Sequence, residues 1–489
     1  MAVPLRVCFA ASEVAPLAKT GGLADVAGAL PRELFLRGLD VRVFTPFHAQ
    51  VDGTACRARP EPCEEIVLRL GDDRFSIALW RGDLPGSDLP VYLLDCPPLF
   101  HRESVYTAGD DEGQRFSVFS HGVVEACQRL GWAPGIFHCH DWHTGLVPLL
   151  LKSSYAWDAI FHASRSILTI HNIGYQGIFP STELADLGLS GAAHLLDPAE
   201  LERGNIGFLR SGVALADAVT TVSPTYAKEI RTKEYGMGLE EALAARPDGV
   251  TGILNGVDYE EWSPERDRWI PHRYSRSRPE GKQKNKRYLL DSLALRGEPG
   301  PPLLGIVSRL AYQKGFELCF SVLPDLLAEN DLRLVVLGEG ERDYVVFFQK
   351  LASRYPDRVH FHRGHSEELA HLIEAGADMF LMPSRYEPCG LNQMFSLRYG
   401  TIPVVRRTGG LADTVEPFDA DRGTGTGFVF DPFTPRALRR ALDDALAAYG
   451  DPSLWNRLME NGMSQDYSWA ARARDYEELY RRLGSIPEK

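Results

Sequence analysis

Two cations, Arg309 and Lys314, stand close together in Val307-Ser308-Arg309-Leu310-Ala311-Tyr312-Gln313-Lys314-Gly315, after a short apolar run and before a helical pattern. A strand-to-helix turn lets both side chains reach one point above a helix N-terminus, where free N–H groups favour an anion. A planar guanidinium fork beside an ammonium charge suits a diphosphate leaving group, each charge-assisted hydrogen bond contributing roughly 1.5–3 kcal/mol. The plainer reading is a pair of solvated surface cations. A second strand end, Pro383-Ser384-Arg385-Tyr386-Glu387-Pro388-Cys389-Gly390-Leu391, places Glu387 ahead of a proline that suits a first helical turn. As structure it is a helix-start carboxylate. As chemistry it can hold sugar hydroxyls or stabilise positive charge at an anomeric carbon, with backbone N–H groups of Cys389, Gly390 and Leu391 offered to the same ligand.

A third strand end, His138-Cys139-His140-Asp141-Trp142-His143, is dense in metal-ligating types. Structural zinc sites draw their ligands from separated pairs, and no second cluster complements this one, so no metal is expected. Asp141 reads better as an acceptor for sugar hydroxyls with Trp142 packed behind it, and His140 and His143 as structural. His171, in Thr169-Ile170-His171-Asn172, ends the next strand; it gains weight over a plain structural histidine if that strand lies beside the one bearing Asp141.

The chain also writes one heptad twice, as Lys19-Thr20-Gly21-Gly22-Leu23-Ala24-Asp25 and Arg407-Thr408-Gly409-Gly410-Leu411-Ala412-Asp413. Paired glycines after a strand let backbone approach a ligand or turn tightly. The two copies imply two similar α/β halves, too far apart for a solenoid. Asp419-Ala420-Asp421 and Gly423-Thr424-Gly425-Thr426-Gly427 lack a strand-first context and read as solvated turns.

The elements that must position these residues alternate between short apolar runs and helical patterns, the rhythm of parallel βαβ architecture. Strands are expected at Leu5–Ala10, Val41–Thr45, Val91–Leu94, Gly135–Cys139, Ser166–Ile170 and Ala218–Val222, with antiparallel elaboration between Val51 and Trp80. The rhythm restarts at Pro302–Val307 and continues through Leu332–Leu337, Val359–His362, Asp378–Met382, Ile402–Val405 and Gly427–Phe430, with a helix from Cys389 and three final helices. Trp262–Lys286, rich in Arg, Lys, Pro, Ser and Tyr, reads as a solvated connection, and Asn255-Gly256-Val257-Asp258 as a hinge. Two doubly wound α/β domains facing a deep cleft are expected, with ligands at strand carboxyl ends.

A chain of 489 residues is too long for one ordinary core. Its 44% hydrophobic and 24% charged residues are those of a soluble globular protein. The net charge of −13 argues against a nucleic-acid partner. Eight scattered cysteines favour reduced thiols. The start, Met1-Ala2-Val3-Pro4-Leu5-Arg6, has no signal-peptide core, and apolar stretches such as Gly145–Leu151 fall well short of the ~20 residues that span a bilayer. A cytoplasmic protein with no membrane partner is expected.

Ser12-Glu13-Val14-Ala15-Pro16-Leu17-Ala18-Lys19-Thr20-Gly21-Gly22-Leu23-Ala24-Asp25-Val26 resembles the N-terminal signature of bacterial glycogen synthases and plant starch synthases. So do His140–His143, His171-Asn172, Val222–Tyr226, Leu254–Asp258, the Arg309/Lys314 segment, Glu387–Leu391, the second Thr-Gly-Gly-Leu-Ala-Asp and Asp466-Tyr467-Ser468-Trp469, in order from about residue 5 to 484. The resemblance implies a GT-B fold of two Rossmann-like domains: an acceptor-side domain at 1–254, joined by the C-terminal helix at about 468–489, and a nucleotide-sugar domain at 255–467. It implies retaining transfer of glucose from ADP-glucose to the non-reducing end of an α-1,4-glucan such as glycogen, with no cofactor. The catalytic set it implies is Glu387, Arg309, Lys314, His171 (through its backbone carbonyl) and Asp141. Substrate contacts would come from Lys19, Gly21, Gly22, Asp25, Tyr106, Asn255, His365, Cys389, Gly390, Leu391 and Thr408. His365 stands where a bacterial relative carries a Tyr near the adenine, and Phe395 where the wider GT-B group often has a second Glu. The first heptad copy would then close over the donor, while the second contacts ribose or simply turns the chain. UDP-glucose as donor and a glucan phosphorylase are the alternatives.

Overall fold

A computed structural model describes residues 4–107, 109–295 and 300–484. The chain divides into two compact units. One takes the chain up to Val222, Ala227–Gly256 and the segment from Trp469; the other takes Ser223–Tyr226 and Val257–Ser468.

In the first unit the strands are β1 (Arg6–Ala10), β2 (Asp40–Pro46), β3 (Arg59–Pro60), β4 (Ile66–Leu70), β5 (Asp73–Asp83), β6 (Pro90–Asp95), β7 (Ile136–His140), β8 (Arg165–Ile170), β9 (Ile178–Pro180), β10 (Asn205–Gly207), β11 (Ala218–Thr221) and β12 (Thr251–Gly252). The main sheet runs β12-β11-β8-β7-β1-β2-β6-β5-β3, with β4 on β5. From β12 to β6 every pairing is parallel, and β3, β4 and β5 form the antiparallel elaboration. Strand β7 is buried along its whole length, as expected where helices cover both faces of a parallel sheet.

Chain order in this sheet reverses between β1 and β7, so their carboxyl ends flank a topological switch point, the usual seat of a ligand. The helix Gly22–Leu36 buries Leu23, Val26, Ala27, Leu30 and Leu34, a helical stripe. The C-terminal helix Trp469–Gly484 packs Ala473, Tyr476, Tyr480 and Leu483 into the same core. Gly256 lies under it, because a Cβ there would stand 2.6 Å from the Trp469 ring.

In the second unit β13 (Leu303–Val307), β14 (Arg333–Gly338), β15 (Val359–Arg363), β16 (Met379–Met382), β17 (Ile402–Arg406) and β18 (Phe428–Phe430) form one sheet. Its order is β15-β14-β13-β16-β17-β18, parallel throughout. This is the Rossmann order, and its switch point falls between β13 and β16.

The structure corrects two expectations. The helix near Cys389 spans Asn392–Tyr399, because Gly390 takes a left-handed φ of 72° that a helix cannot continue through. Trp262–Lys286 is a solvated connection only in part: residues around 276–280 are exposed, but others are buried. Its last residues open the helix Glu280–Ser292, which buries Lys282, Asn285 and Lys286. Lys286 Nζ reaches Asp378 at 2.6 Å, with both side chains almost fully enclosed. Lys282 donates to the carbonyls of Glu374 and Ala375 and to Thr401, and burial brings its pKa down to about 7.

Candidate active site

At the first unit's switch point, Ser12 and Glu13 follow β1, and Asp141 follows β7. Glu13 accepts from the backbone N–H groups of Thr20 (2.5 Å) and Gly21 (3.3 Å), so a buried carboxylate shapes the first Gly-Gly loop from below. Gly21 and Gly22 are exposed, and a Cβ on Gly22 would meet nothing within 4 Å. Lys19 and Asp25 pair at 2.7 Å. Asp141, at a φ of 56°, accepts from the backbone N–H groups of His171 (2.7 Å) and Asn172 (3.4 Å). The expected adjacency of the Asp141 and His171 strands is therefore present as β7 beside β8.

Burial raises Asp141 to about 7 against the pull of those two N–H donors, with Glu13 adding repulsion. Burial likewise raises Glu13 to about 7. His171 is brought down to about 3 by burial, and its Nε2 lies 2.9 Å from His140 Nδ1. A neutral imidazole committed to a neighbouring ring is poorly suited to proton transfer near pH 7. Among the described residues nothing donates to the His171 carbonyl oxygen. Behind it His138 bridges Tyr480 and Thr169 at 2.7 Å each, which fixes the strand ends on the C-terminal helix.

Tyr106 bonds Ser12 Oγ at 2.8 Å and stacks on His143 at 4.8 Å. Asn255 follows β12; its Oδ1 is buried without a hydrogen-bond partner among the described residues. An orphaned acceptor of this kind costs about 1–3 kcal/mol unless a ligand donates to it.

At the second unit's switch point, the β13 end carries Arg309 and Lys314 and the β16 end carries Glu387. Lys314 Nζ lies 2.7 Å from Glu387 Oε2, which also accepts from Ser384 Oγ at 2.9 Å. Arg309 is exposed, and its guanidinium has no acidic partner among the described residues. The 383–390 loop is rigidly held. The Arg385 N–H donates to the Gln313 carbonyl at 2.9 Å; its guanidinium sits over the Tyr312 and Phe433 rings and pairs with Glu317. Gly315, at a φ of 68°, admits this loop: a Cβ would lie 2.3 Å from the Pro383 carbonyl oxygen.

The second heptad copy sits against this loop. A Cβ on Gly409 would lie 1.9 Å from the Glu387 carbonyl oxygen, and one on Gly410 2.0 Å from that of Cys389. The Gly410 N–H donates to the Glu387 carbonyl at 3.0 Å. Thr408, Cys389 and Leu391 belong to the same packed turn, with Thr408 and Cys389 buried. The copies match in sequence and differ in use: the first faces open space, and the second is a backbone seat for Glu387. Gly409→Ala, with its φ of 44°, should therefore destabilise the chain by about 3 kcal/mol or more through combined strain and collision. Gly22→Ala should leave the thermal midpoint unchanged. Equal midpoints for the two variants would refute this asymmetry.

His365 is exposed and paired with Glu367 at 3.2 Å. Phe395 stacks on Trp262 at 4.0 Å. Sequence reasoning gave no role to Glu13 or Ser384; Glu13 stood inside the Ser12–Val26 motif, but its partners are backbone N–H groups that no spacing advertises.

Because burial raises its folded-state pKa, Glu13 binds its proton more tightly in the folded chain. That stabilisation is complete below the ordinary 4.5 and is lost as pH rises through about 7. Asp141 acts in the same sense, from 3.8 to about 7. Thermal midpoints of wild type and Glu13→Gln between about pH 5 and 8 should diverge, the wild type losing more as pH rises. Parallel curves would show that Glu13 is already ionised throughout.

Two Rossmann-type sheets, each with charged and polar groups gathered at its own switch point, define the architecture of a GT-B glycosyltransferase. Residues 6–245 match the family model described as starch synthase catalytic domain, and 294–464 that of glycosyl transferases group 1. Curated glycogen synthases from Koribacter versatilis and Geotalea daltonii are 44% and 42% identical to this chain, covering 99% and 98% of it and 99% and 98% of their own lengths. The catalytic domain of starch synthase IV from Arabidopsis thaliana, solved bound to ADP and acarbose, superposes with a TM-score of 0.92 at 33% identity, over 99% of this chain and all of that one. A sucrose-phosphate synthase from Thermosynechococcus elongatus, 18% identical with a TM-score of 0.61 over 98% of this chain and 99% of its own, shares the fold alone. The chain belongs to the family of bacterial glycogen synthases and starch synthases, and is a glycosyltransferase. No helix among the described residues is long and apolar enough to cross a membrane.

Proposed function

We propose that the protein transfers glucose from ADP-glucose to the non-reducing end of an α-1,4-glucan, with retention of configuration. The observation that carries this reading is the Lys314–Glu387 pair at 2.7 Å, at the switch point of a Rossmann sheet whose β13 end also carries the exposed Arg309. Arg309 and Lys314 hold the diphosphate and match the charge that develops on the departing β-phosphate, usually the largest catalytic contribution. Glu387, Asp141, Asn255 and the His171 carbonyl serve the glucosyl group. Gly21, Gly22, Lys19 and Asp25 form the loop that covers the donor, and Tyr106 braces it through Ser12. The peptide groups of Cys389, Gly390 and Leu391 and the Thr408 turn serve the nucleotide, with His365 nearest the base.

Transfer is on one face. The anomeric C–O bond to the β-phosphate breaks, a bond to the acceptor hydroxyl oxygen forms, and the hydroxyl proton passes to the leaving phosphate. Glu387 is held by Lys314 and Ser384 rather than left free as a nucleophile, which supports this route over a covalent intermediate. Supplying each sugar nucleotide with glycogen and measuring glucose incorporated tests the reading: kcat/KM for ADP-glucose should exceed that for UDP-glucose, and the reverse order would overturn the donor assignment. Anomeric analysis of the new linkage tests retention, an inverted product excluding it.

A further inference from the structure

Beside His365, whose Nε2 lies 3.2 Å from Glu367 Oε2, the second unit brings together Glu261, Glu367 and His371, with one potential ligand atom from each of these three within 4.8 Å of the others. His371 is fully enclosed, yet its Nε2 has no hydrogen-bond partner among the described residues. The carboxylate oxygen Glu367 Oε1 stands 3.8 Å from it, beyond hydrogen-bond reach. On the opposite edge of the ring, Nδ1 lies 2.8 Å from Asp267 Oδ2. Asp267 also accepts from the Tyr399 hydroxyl (2.6 Å) and the Trp269 N–H (2.7 Å), so it is an acceptor throughout, and Nδ1 must be the protonated nitrogen. A carboxylate that fixes the far N–H of a histidine and aims its other nitrogen is the usual support of a metal ligand.

The ring is immobilised as well. Trp262 stacks on it at 3.8 Å and 11°, and Phe395 covers the other face of Trp262 at 4.0 Å and 1°. Glu261 precedes Trp262 in the chain, so the same stack brings its carboxylate alongside.

We infer that Glu261, Glu367 and His371 bind one divalent transition cation of the zinc type, the remaining coordination position being open to water. One imidazole nitrogen and two carboxylates suit such an ion. Ligands bonded at about 2.1 Å stand at most about 4.2 Å apart. The His371–Glu367 distance already fits, and exposed Glu261 has only a short inward movement to make. The ion would fasten the segment around Trp262 to the first turn of the helix Glu367–Gly376.

The full chain, stripped with chelator, is titrated with Co²⁺, followed by its visible absorption, and then with Zn²⁺ in competition. One equivalent should produce a cobalt band that Zn²⁺ abolishes, and the cation should raise the thermal midpoint. Glu261→Gln, at an exposed position that leaves folding intact, should weaken binding by at least about 10-fold and abolish the midpoint shift; Glu367→Gln should do the same. Absence of a band with cation in excess would show that His371 instead shares a proton between Asp267 and Glu367, and would overturn the inference. Equal binding by wild type and Glu261→Gln would place the cation elsewhere and would overturn it too.

Discussion

Lys314→Ala should lower kcat/KM for the sugar nucleotide by about 10²–10³, with most of the loss in kcat. The ammonium would match charge that grows as the phosphate departs, so its removal costs the transition state more than the bound donor. Arg309→Ala should lose a comparable amount for the same reason, yet the two variants should part in stability. Arg309 has no acidic partner among the described residues, so its truncation leaves the fold untouched. Lys314 is the cationic partner of a Glu387 only 5% exposed. Its loss leaves a buried carboxylate with the Ser384 hydroxyl alone, and the thermal midpoint should fall. A Lys314→Ala/Glu387→Ala double variant should recover part of that midpoint but none of the turnover, because the residues share one interaction. Near-normal turnover in either single variant would remove the diphosphate assignment.

Asp141→Ala should reduce turnover by about 10³ and raise KM for the donor, a loss of transition-state and ground-state contacts together. Its carboxylate serves two ends at once. Toward the protein it accepts the N–H groups of His171 and Asn172, and each donor left unpaired when buried costs about 1–3 kcal/mol. Toward the substrate it is the proposed acceptor for glucosyl hydroxyls. Asn separates the two roles. It retains an acceptor oxygen for the main chain and tolerates the φ of 56° at this position, whereas Ala forfeits the backbone contacts as well. Asp141→Asn should therefore keep the wild-type thermal midpoint and still lose turnover. Full activity in Asp141→Asn would confine the residue to positioning His171, and full activity in Asp141→Ala would remove it from the site.

The parallel sheets were legible because β1, β13 and β16 are short apolar runs with polar groups held back until the strand ends, and because β7, though it carries His138 and His140, sits in the same alternating rhythm. Those ends are where Asp141, Arg309, Lys314 and Glu387 stand, so the side chains proposed to carry the chemistry were legible for the same reason. Trp262–Lys286 was not. Lysines and asparagines are ordinarily solvated, and Lys286 is buried only because Asp378, distant in sequence, waits for it. The two Gly-Gly copies show a different limit: identical residues meet open space at Gly22 and a carbonyl oxygen at Gly409, and only the neighbours decide which. Glu13 escaped because its function is to receive backbone N–H groups, which every residue but proline supplies.

The helix Trp469–Gly484 has a bearing on the order in which the protein can mature. Its Tyr476 and Tyr480 are fully buried members of a core whose other elements lie between Val7 and Ile253. During synthesis on a ribosome, the first unit must wait with that face uncovered while more than two hundred intervening residues are made. The second unit, contiguous over Val257–Ser468 apart from Ser223–Tyr226, can close earlier. The segment translated first is thus the one completed last, and the Asp141–His171 arrangement, braced through His138 on Tyr480, is finished only when the final helix docks.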